Sequence, residues 1–225
     1  MNKLLHDLGF TYKKPKLIPS GLNLQLQENF LECFYKFMST KKDDEVVIFF
    51  DSTHPQYLSC ADYGWIKKGN DMLLQNHGMR GRVNISGGVD LDTGQIIVDF
   101  PEKVNSKTII TILQKIENCY PNANIIHLIL DNAAVHKSKL VKDFLNTSKL
   151  NMAFLPAYSP NLNLMERIWG LLRRKVLTNS FISTFKKFRN KIIKFFKKTL
   201  VDKNDAWVWP LINDEFQEFE GNLII

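Results

Sequence analysis

The sequence predicts an α/β fold, with a mixed five-stranded sheet flanked by helices. Apolar segments of strand length alternate with segments whose apolar residues recur at helical spacing, which is typical of a sheet covered on both faces. Two successive strands within residues 82–100 surround the turn sequence DLDTG, which predicts a hairpin and therefore an antiparallel pair. Two further strands, 45–51 and 124–131, each end on an aspartate.

The other elements are predicted from apolar spacing and from residues that start helices. Apolar residues recur at helical spacing in 22–39, and Ser106 is placed to cap a helix over 106–120. The aspartates of the hairpin region are expected to be solvated, and these are Asp90, Asp92 and Asp99. A short strand is predicted over 150–156, and further helices over 136–148, 161–177 and 181–200.

The charge balance favours a polyanionic partner. The 225 residues include 30 Lys and Arg against 23 Asp and Glu, for a net charge of +7. Eleven of the basic residues and no acidic residue lie between Arg167 and Lys198. This run suits a helix that faces a phosphate backbone, or an amphipathic helix with a solvated lysine face. No apolar run approaches the roughly 18 residues of a membrane helix, so no membrane partner is expected.

The cysteines favour a reducing compartment. The chain has three cysteines, an odd number, and they are scattered along the sequence outside any CxxC motif. They are Cys33, Cys60 and Cys119. We interpret them as free thiols in the cytosol, because their spacing does not match a zinc site.

Three carboxylates suggest a metal site. Asp51 and Asp131 close apolar strands, and neighbouring strands would bring their ends together. Two carboxylates that lie so close repel each other, and a hard cation such as Mg²⁺, which prefers oxygen ligands, relieves the repulsion. The third candidate ligand is Glu166, in the first turns of a helix that Asn161 or Asn163 can cap.

Each of these residues alone is weak evidence. A strand-terminal aspartate is often only a turn former or a helix cap, and a lone glutamate on a helix is more often on the surface than a ligand. His136 is expected to be a polar residue at a helix start rather than a metal ligand. The combination of two such strand ends with a positioned glutamate favours the metal site.

Three blocks of sequence carry a resemblance to a known family. They are VVIFFDSTH at 46–54, LILDNAAVHKS at 128–138 and LPAYSPNLNLMERIWGLLRRKV at 155–176. Together they resemble the catalytic domain of bacterial insertion-sequence transposases of the mariner superfamily, which are DDE endonucleases with a ribonuclease H-like fold. The 34 residues between Asp131 and Glu166 match the interval of that superfamily. Two positions depart from its usual pattern, with Ser52 in place of Glu and Leu164 in place of Pro.

The resemblance implies a metal-dependent DNA endonuclease and strand transferase with a ribonuclease H-like fold. Asp51 would bridge two Mg²⁺ or Mn²⁺ ions, Asp131 would hold one of them and Glu166 the other. Water would cleave a phosphodiester at the transposon end, and the freed 3′-hydroxyl would attack target DNA at a TA dinucleotide. A homodimer in the bacterial cytoplasm, associated with the nucleoid, is expected.

The resemblance also implies a domain organisation. Residues 1–20 would be the remnant of a DNA-binding region with a basic linker, 21–200 the catalytic domain and 201–225 an acidic C-terminal tail. The family's helix-turn-helix region would then be supplied by an upstream DNA-binding polypeptide, or be missing from a truncated copy.

Basic residues near the expected site are candidates for DNA contacts. We expect Lys13, Lys14 and Lys16 to follow phosphates along the linker, and the other candidates to line the DNA face. They are Lys13, Lys14, Lys16, Arg80, Arg82, His136, Lys137, Arg173, Arg174 and Lys175.

Two other functions remain open on the sequence alone. One is a regulatory remnant without catalytic activity, which binds DNA or full-length transposase. The other is a host nuclease of the same fold that acts on RNA–DNA hybrids or DNA junctions, although the third block argues against it.

Overall fold

A mixed five-stranded sheet lies at the centre of the protein, which confirms the predicted fold class. The structure is a computed structural model, and it describes residues 2–12, 19–76, 81–199 and 212–216. The strand order is β3-β2-β1-β4-β5, with β1 parallel to β4, β4 parallel to β5 and the other pairs antiparallel. The strands are β1 (Glu45–Thr53), β2 (Ile85–Asp90), β3 (Ile96–Asp99), β4 (Ile125–Leu130) and β5 (Leu150–Phe154).

The helices begin at capping residues close to the predicted positions. Helix α3 is capped by Asn105 rather than by Ser106, because the Asn105 side chain accepts from the backbone of Lys107 and Thr108 and forms a capping box with Thr108. Single π turns extend the last two helices, over Arg173–Leu177 and Phe195–Thr199. The helices are α1 (Asn2–Asp7), α2 (Leu24–Thr40), α3 (Ser106–Cys119), α4 (Lys139–Leu145), α5 (Leu164–Leu172) and α6 (Phe185–Lys194).

Helices cover both faces of the sheet, and the alternation along β1 shows how. Val47 and Phe49 belong to a large cluster with residues of α2, α5 and α6. Ile48 and Phe50 belong to a second cluster with residues of α3 and α4. All four side chains are fully buried. Because successive side chains of a strand point to opposite faces, β1 can serve both cores only as a continuous apolar run.

One aspartate of the hairpin is buried, although the sequence predicted that it would be solvated. Asp90 is only 2% exposed, because it ends β2 beneath its own turn. Its carboxylate accepts from the backbone of Asp92 and Thr93, from the Thr93 hydroxyl and from the Tyr120 hydroxyl. Burial and the nearby carboxylate raise the pKa of Tyr120. Asp90 is therefore a structural anchor for the turn, and its predicted solvation is wrong.

The described part of the C-terminal segment packs onto the large apolar cluster. Ile212 and Phe216 are buried in the large cluster, and the Phe216 ring lies 5.4 Å from that of Phe34. The Arg167 guanidinium donates to the backbone oxygen of Asn213 at 3.1 Å. Residues 212–216 therefore pack on the core, and the rest of 201–225 lies outside the described residues. The predicted domain boundaries stay a prediction.

Within the described ranges, no helix is long and apolar enough to cross a membrane.

Candidate active site

Two aspartates lie side by side where the central strands separate. The last parallel pair between β1 and β4 is Phe49 with Ile129, and Asp51 and Asp131 each lie two residues further on. They therefore point to the same face as that pair, toward α5. Contrary to the prediction, Asp51 does not end its strand, because β1 continues to Thr53 by pairing with β2.

Asp51 is largely buried and has a specific partner. Its Oδ2 accepts a hydrogen bond of 2.7 Å from the indole Nε1 of Trp169. Burial raises the pKa of Asp51 to about 6, against the lowering effects of the Trp169 hydrogen bond and the Ser52 backbone. The negative charges of Glu166 and Asp131 raise it further. A site that disfavours its own negative charge in this way is suited to a cation.

Asp131 is more exposed and is held by its own turn. Its Oδ1 accepts from the backbone of Ala133 at 3.1 Å and lies 3.4 Å from Nε2 of His136. The His136 contact lowers the pKa of Asp131 in spite of partial burial. The two aspartates therefore differ, and Asp131 is the one that is readily ionised.

His136 is buried, so its side chain lacks the exposure that the predicted DNA contact requires. The side chain is 4% exposed, and its ring lies edge-on to Phe50 at 5.7 Å. Its Nε2 is the ring nitrogen that faces Asp131. The other ring nitrogen, Nδ1, is buried and has no hydrogen-bond partner among the described residues. The turn before α4 places His136 inside the protein, and spacing along the sequence could not reveal this.

Glu166 comes from the first turn of α5, as predicted. Asn163 caps this helix by accepting from the backbone of Met165, and its amide also donates to the Phe50 backbone oxygen at 3.1 Å. This one side chain therefore fixes the start of α5 against β1. Partial burial raises the pKa of Glu166, the positive charge of Arg173 opposes this, and the charge of Asp131 adds to it.

The three carboxylates line one cavity of about 370 Å³. Its other walls are the turn after β4 and the loop between β5 and α5, with Asn132, Tyr158 and Asn163 among the lining residues. Oxygen-rich walls fit a hard divalent cation. Within the described part of the chain, no group of three or more His, Cys, Asp or Glu side chains is arranged to hold one ion by itself.

A buried glutamine on α2, which sequence reasoning missed, holds the loop that leads to Glu166. The Gln27 amide donates to Ser159 at 2.7 Å and to Asn161 at 3.2 Å, and its oxygen accepts from Asn161 at 3.1 Å. Gln27 is 4% exposed. The sequence does carry a signal for this role, because Gln27 is a polar residue on the apolar stripe of 22–39.

Gln27→Leu is expected to lower the free energy of unfolding by about 1–3 kcal/mol, because it leaves buried polar partners with fewer hydrogen bonds. Urea denaturation of both proteins measures the change. Gln25→Leu is the matched control, since Gln25 is exposed on the same helix and its side chain bonds only to Asn29 among the described residues. It should change stability by less than about 0.5 kcal/mol. Equal effects of the two changes would contradict the role of Gln27.

The remaining basic candidates are divided between surface positions and undescribed segments. Lys137 is exposed beside the cavity, where its Nζ donates to Asn132 and lies 4.8 Å from the Phe154 ring centre. Arg173 lies close enough to Glu166 to affect its pKa. Arg82, Arg174 and Lys175 are also exposed, whereas Lys13, Lys14, Lys16 and Arg80 lie outside the described residues.

Known proteins match this chain in sequence and in fold. The family described as DDE superfamily endonuclease matches residues 46–189. An uncharacterized 39 kDa protein of insertion element IS630 from Shigella sonnei is 26% identical over 132 residues, which cover 58% of this chain and 38% of that protein. The chain thus spans well under half the length of that relative.

Solved structures of Mos1 mariner transposase have the same fold. Its paired-end complex with Mn matches with a TM-score of 0.70 and 17% identity, over 94% of this chain and 65% of that one. Its isolated catalytic domain matches with a TM-score of 0.58 and 16% identity, over 87% and 91% of the two chains. These likenesses confirm the predicted ribonuclease H-like fold. Because the family match covers more than half of the chain, the protein belongs to the DDE superfamily endonucleases.

Proposed function

We propose that this chain is the catalytic part of a DNA transposase, which cleaves phosphodiesters at the ends of its element and transfers the freed strand end to target DNA. The observation that carries the proposal is the meeting of Asp51, Asp131 and Glu166, from three separate elements, around one cavity. The raised pKa of Asp51 supports it, because an uncompensated carboxylate at that position is unfavourable without a cation.

The three carboxylates would hold two divalent cations, Mg²⁺ or Mn²⁺, with Asp51 shared between them. A bound pair would supply charge stabilisation to the entering and leaving oxygens of an in-line displacement. The chain's own contribution is position. The Asn163 cap fixes Glu166 against β1, and the turn that contains His136 fixes Asp131. A transition state that gains negative charge is stabilised most by groups that are already in place.

The exposed basic residues around the cavity are the proposed DNA contacts. Lys137 lies on the β4 side of the site, and Arg173, Arg174 and Lys175 follow α5 away from Glu166. Arg82 and the undescribed Lys13, Lys14, Lys16 and Arg80 complete the proposed set. From the resemblance to the mariner superfamily we further propose a TA target, a homodimer that handles two transposon ends, and a location with the nucleoid in the bacterial cytoplasm.

Cleavage of a labelled duplex that carries the element's own end tests the proposal. The wild-type chain is expected to nick this DNA with Mg²⁺ or Mn²⁺ and not with EDTA, and Asp131→Ala is expected to reduce the rate at least roughly a thousandfold. Asp143→Ala is the matched control, because Asp143 is an exposed carboxylate on α4 outside the cavity. It should leave the rate unchanged.

The assay is repeated with any polypeptide encoded upstream of this chain. Equal cleavage by wild type and Asp131→Ala would overturn the assignment of the site. A folded wild-type chain that cuts nothing under any of these conditions would replace the enzyme proposal with a regulatory, DNA-binding function.

A further inference from the structure

Trp169 is the buried partner of Asp51. It lies three residues after Glu166 on α5, which places both side chains on neighbouring turns of one helix face. The indole is 7% exposed, and its Nε1 donates to Oδ2 of Asp51 at 2.7 Å. A hydrogen bond to an ionised carboxylate is stronger than one between neutral groups and restricts its rotation.

The indole is itself held by the core. Trp169 belongs to the large apolar cluster, and its ring lies edge-on to Phe196 at 6.0 Å. Phe196 is 5% exposed, so packing limits the rotation of the indole. The donor therefore keeps its position whether or not the carboxylate binds anything else.

One rigid helix thus acts on two of the proposed ligands. Glu166 belongs to α5 directly, and Asp51 is tied to the same helix through Trp169. A displacement of α5 would move one carboxylate and release the other. Trp169 also lines a separate cavity of about 350 Å³, together with His54 and Arg173, and Asp51 is not among the residues that line it.

We propose that Trp169 is a positioning residue for the metal site: its indole N–H holds Oδ2 of Asp51 so that the carboxylate faces the cavity in one orientation. This inference rests on the proposed function, since it takes Asp51 as a ligand. A buried Trp commonly finds some hydrogen-bond acceptor, and that structural role alone would leave metal affinity unaffected. Partners that orient a metal ligand typically change affinity 10- to 100-fold when they are removed.

The test measures binding of Mn²⁺ by calorimetry in wild type and in Trp169→Phe, without DNA. Phenylalanine keeps an aromatic ring in the core and removes the N–H. We expect the dissociation constant to rise about tenfold. In single-turnover cleavage, we expect the Mg²⁺ concentration for half-maximal rate to rise by a similar factor, with a smaller loss of rate at saturating Mg²⁺.

The matched control is Phe188→Leu, which loosens the same apolar cluster away from the indole, because the Phe188 ring contacts Tyr57 and Phe185. It is expected to lower the unfolding midpoint and to leave Mn²⁺ affinity at the wild-type value. If Trp169→Phe does not fold, replacement of the Trp169 indole by benzothiophene removes the donor and keeps the shape. Wild-type affinity in that protein or in folded Trp169→Phe would overturn the inference. Failure of wild type to bind Mn²⁺ at all would instead overturn the proposed function.

Discussion

Replacing Asp51 by asparagine is expected to abolish DNA cleavage and, without metal, to make the protein more stable at neutral pH. Asparagine removes the negative charge and can still accept the hydrogen bond from Trp169. The loss of cleavage follows from the proposed role of Asp51 as the shared metal ligand and should be at least roughly a thousandfold. The gain in stability follows from the burial of the carboxylate.

The direction of the stability change follows from the pKa. Burial raises the pKa of Asp51 from 3.8 to about 6 in the folded protein. Between those two values the folded chain binds more protons than the unfolded chain, so the stability of the wild type falls as the pH rises through this window. Above pH 6 the full penalty applies, on the order of 2 kcal/mol after a discount for residual solvent exposure. Asp51→Asn lacks that penalty.

Urea denaturation in EDTA, between pH 4 and pH 8, measures the effect, and single-turnover cleavage measures the activity. The matched control is Asp131→Asn, which should also be inactive. Because His136 lowers the pKa of Asp131, its ionised form favours folding, and this variant should lose stability above pH 4 rather than gain it. A stability of Asp51→Asn at or below that of wild type at pH 7.5 would contradict the proposed cost of burying the charge.

Gly87→Ala is expected to lower the free energy of unfolding by about 3 kcal/mol, because the sheet leaves no space for another carbon. A Cβ at Gly87 would lie 2.6 Å from the backbone oxygen of Ile97 and 2.6 Å from Val98 Cγ1 on β3. The backbone atom cannot move aside without disturbing the β2–β3 pairing. Gly87 also pairs directly with Asp51, so strain there should reduce cleavage as well.

Gly170→Ala provides the matched control in the same region. Gly170 lies inside α5, and a Cβ there would meet nothing within 4 Å. Alanine should therefore raise the free energy of unfolding by about 0.5–1 kcal/mol through its higher helix propensity. Urea denaturation of both variants and of wild type makes the comparison. If Gly87→Ala were as stable as wild type, the tight contact between β2 and β3 would be disproved.

Local patterns were sufficient for the secondary structure and for the choice of carboxylates. Apolar runs predicted the five strands, and helical spacing predicted α2, α3 and α5, because these patterns reflect which side chains each element must bury. The approach of Asp51 and Asp131 on neighbouring parallel strands also followed from sequence, since such strands bring equivalent positions together. The extension of β1 beyond Asp51 was missed, because it depends on pairing with β2.

The sequence by itself therefore determined the sheet, the helices and the three carboxylates of the candidate site. The tertiary structure alone decided their surroundings: Trp169 on Asp51, Gln27 on the loop before Glu166, and the inward turn of His136. Trp169 and Gln27 lie 118 and 132 residues from the partners they bind. Contacts over such separations arise from how helices dock on a sheet, and neither residue spacing nor composition records that docking.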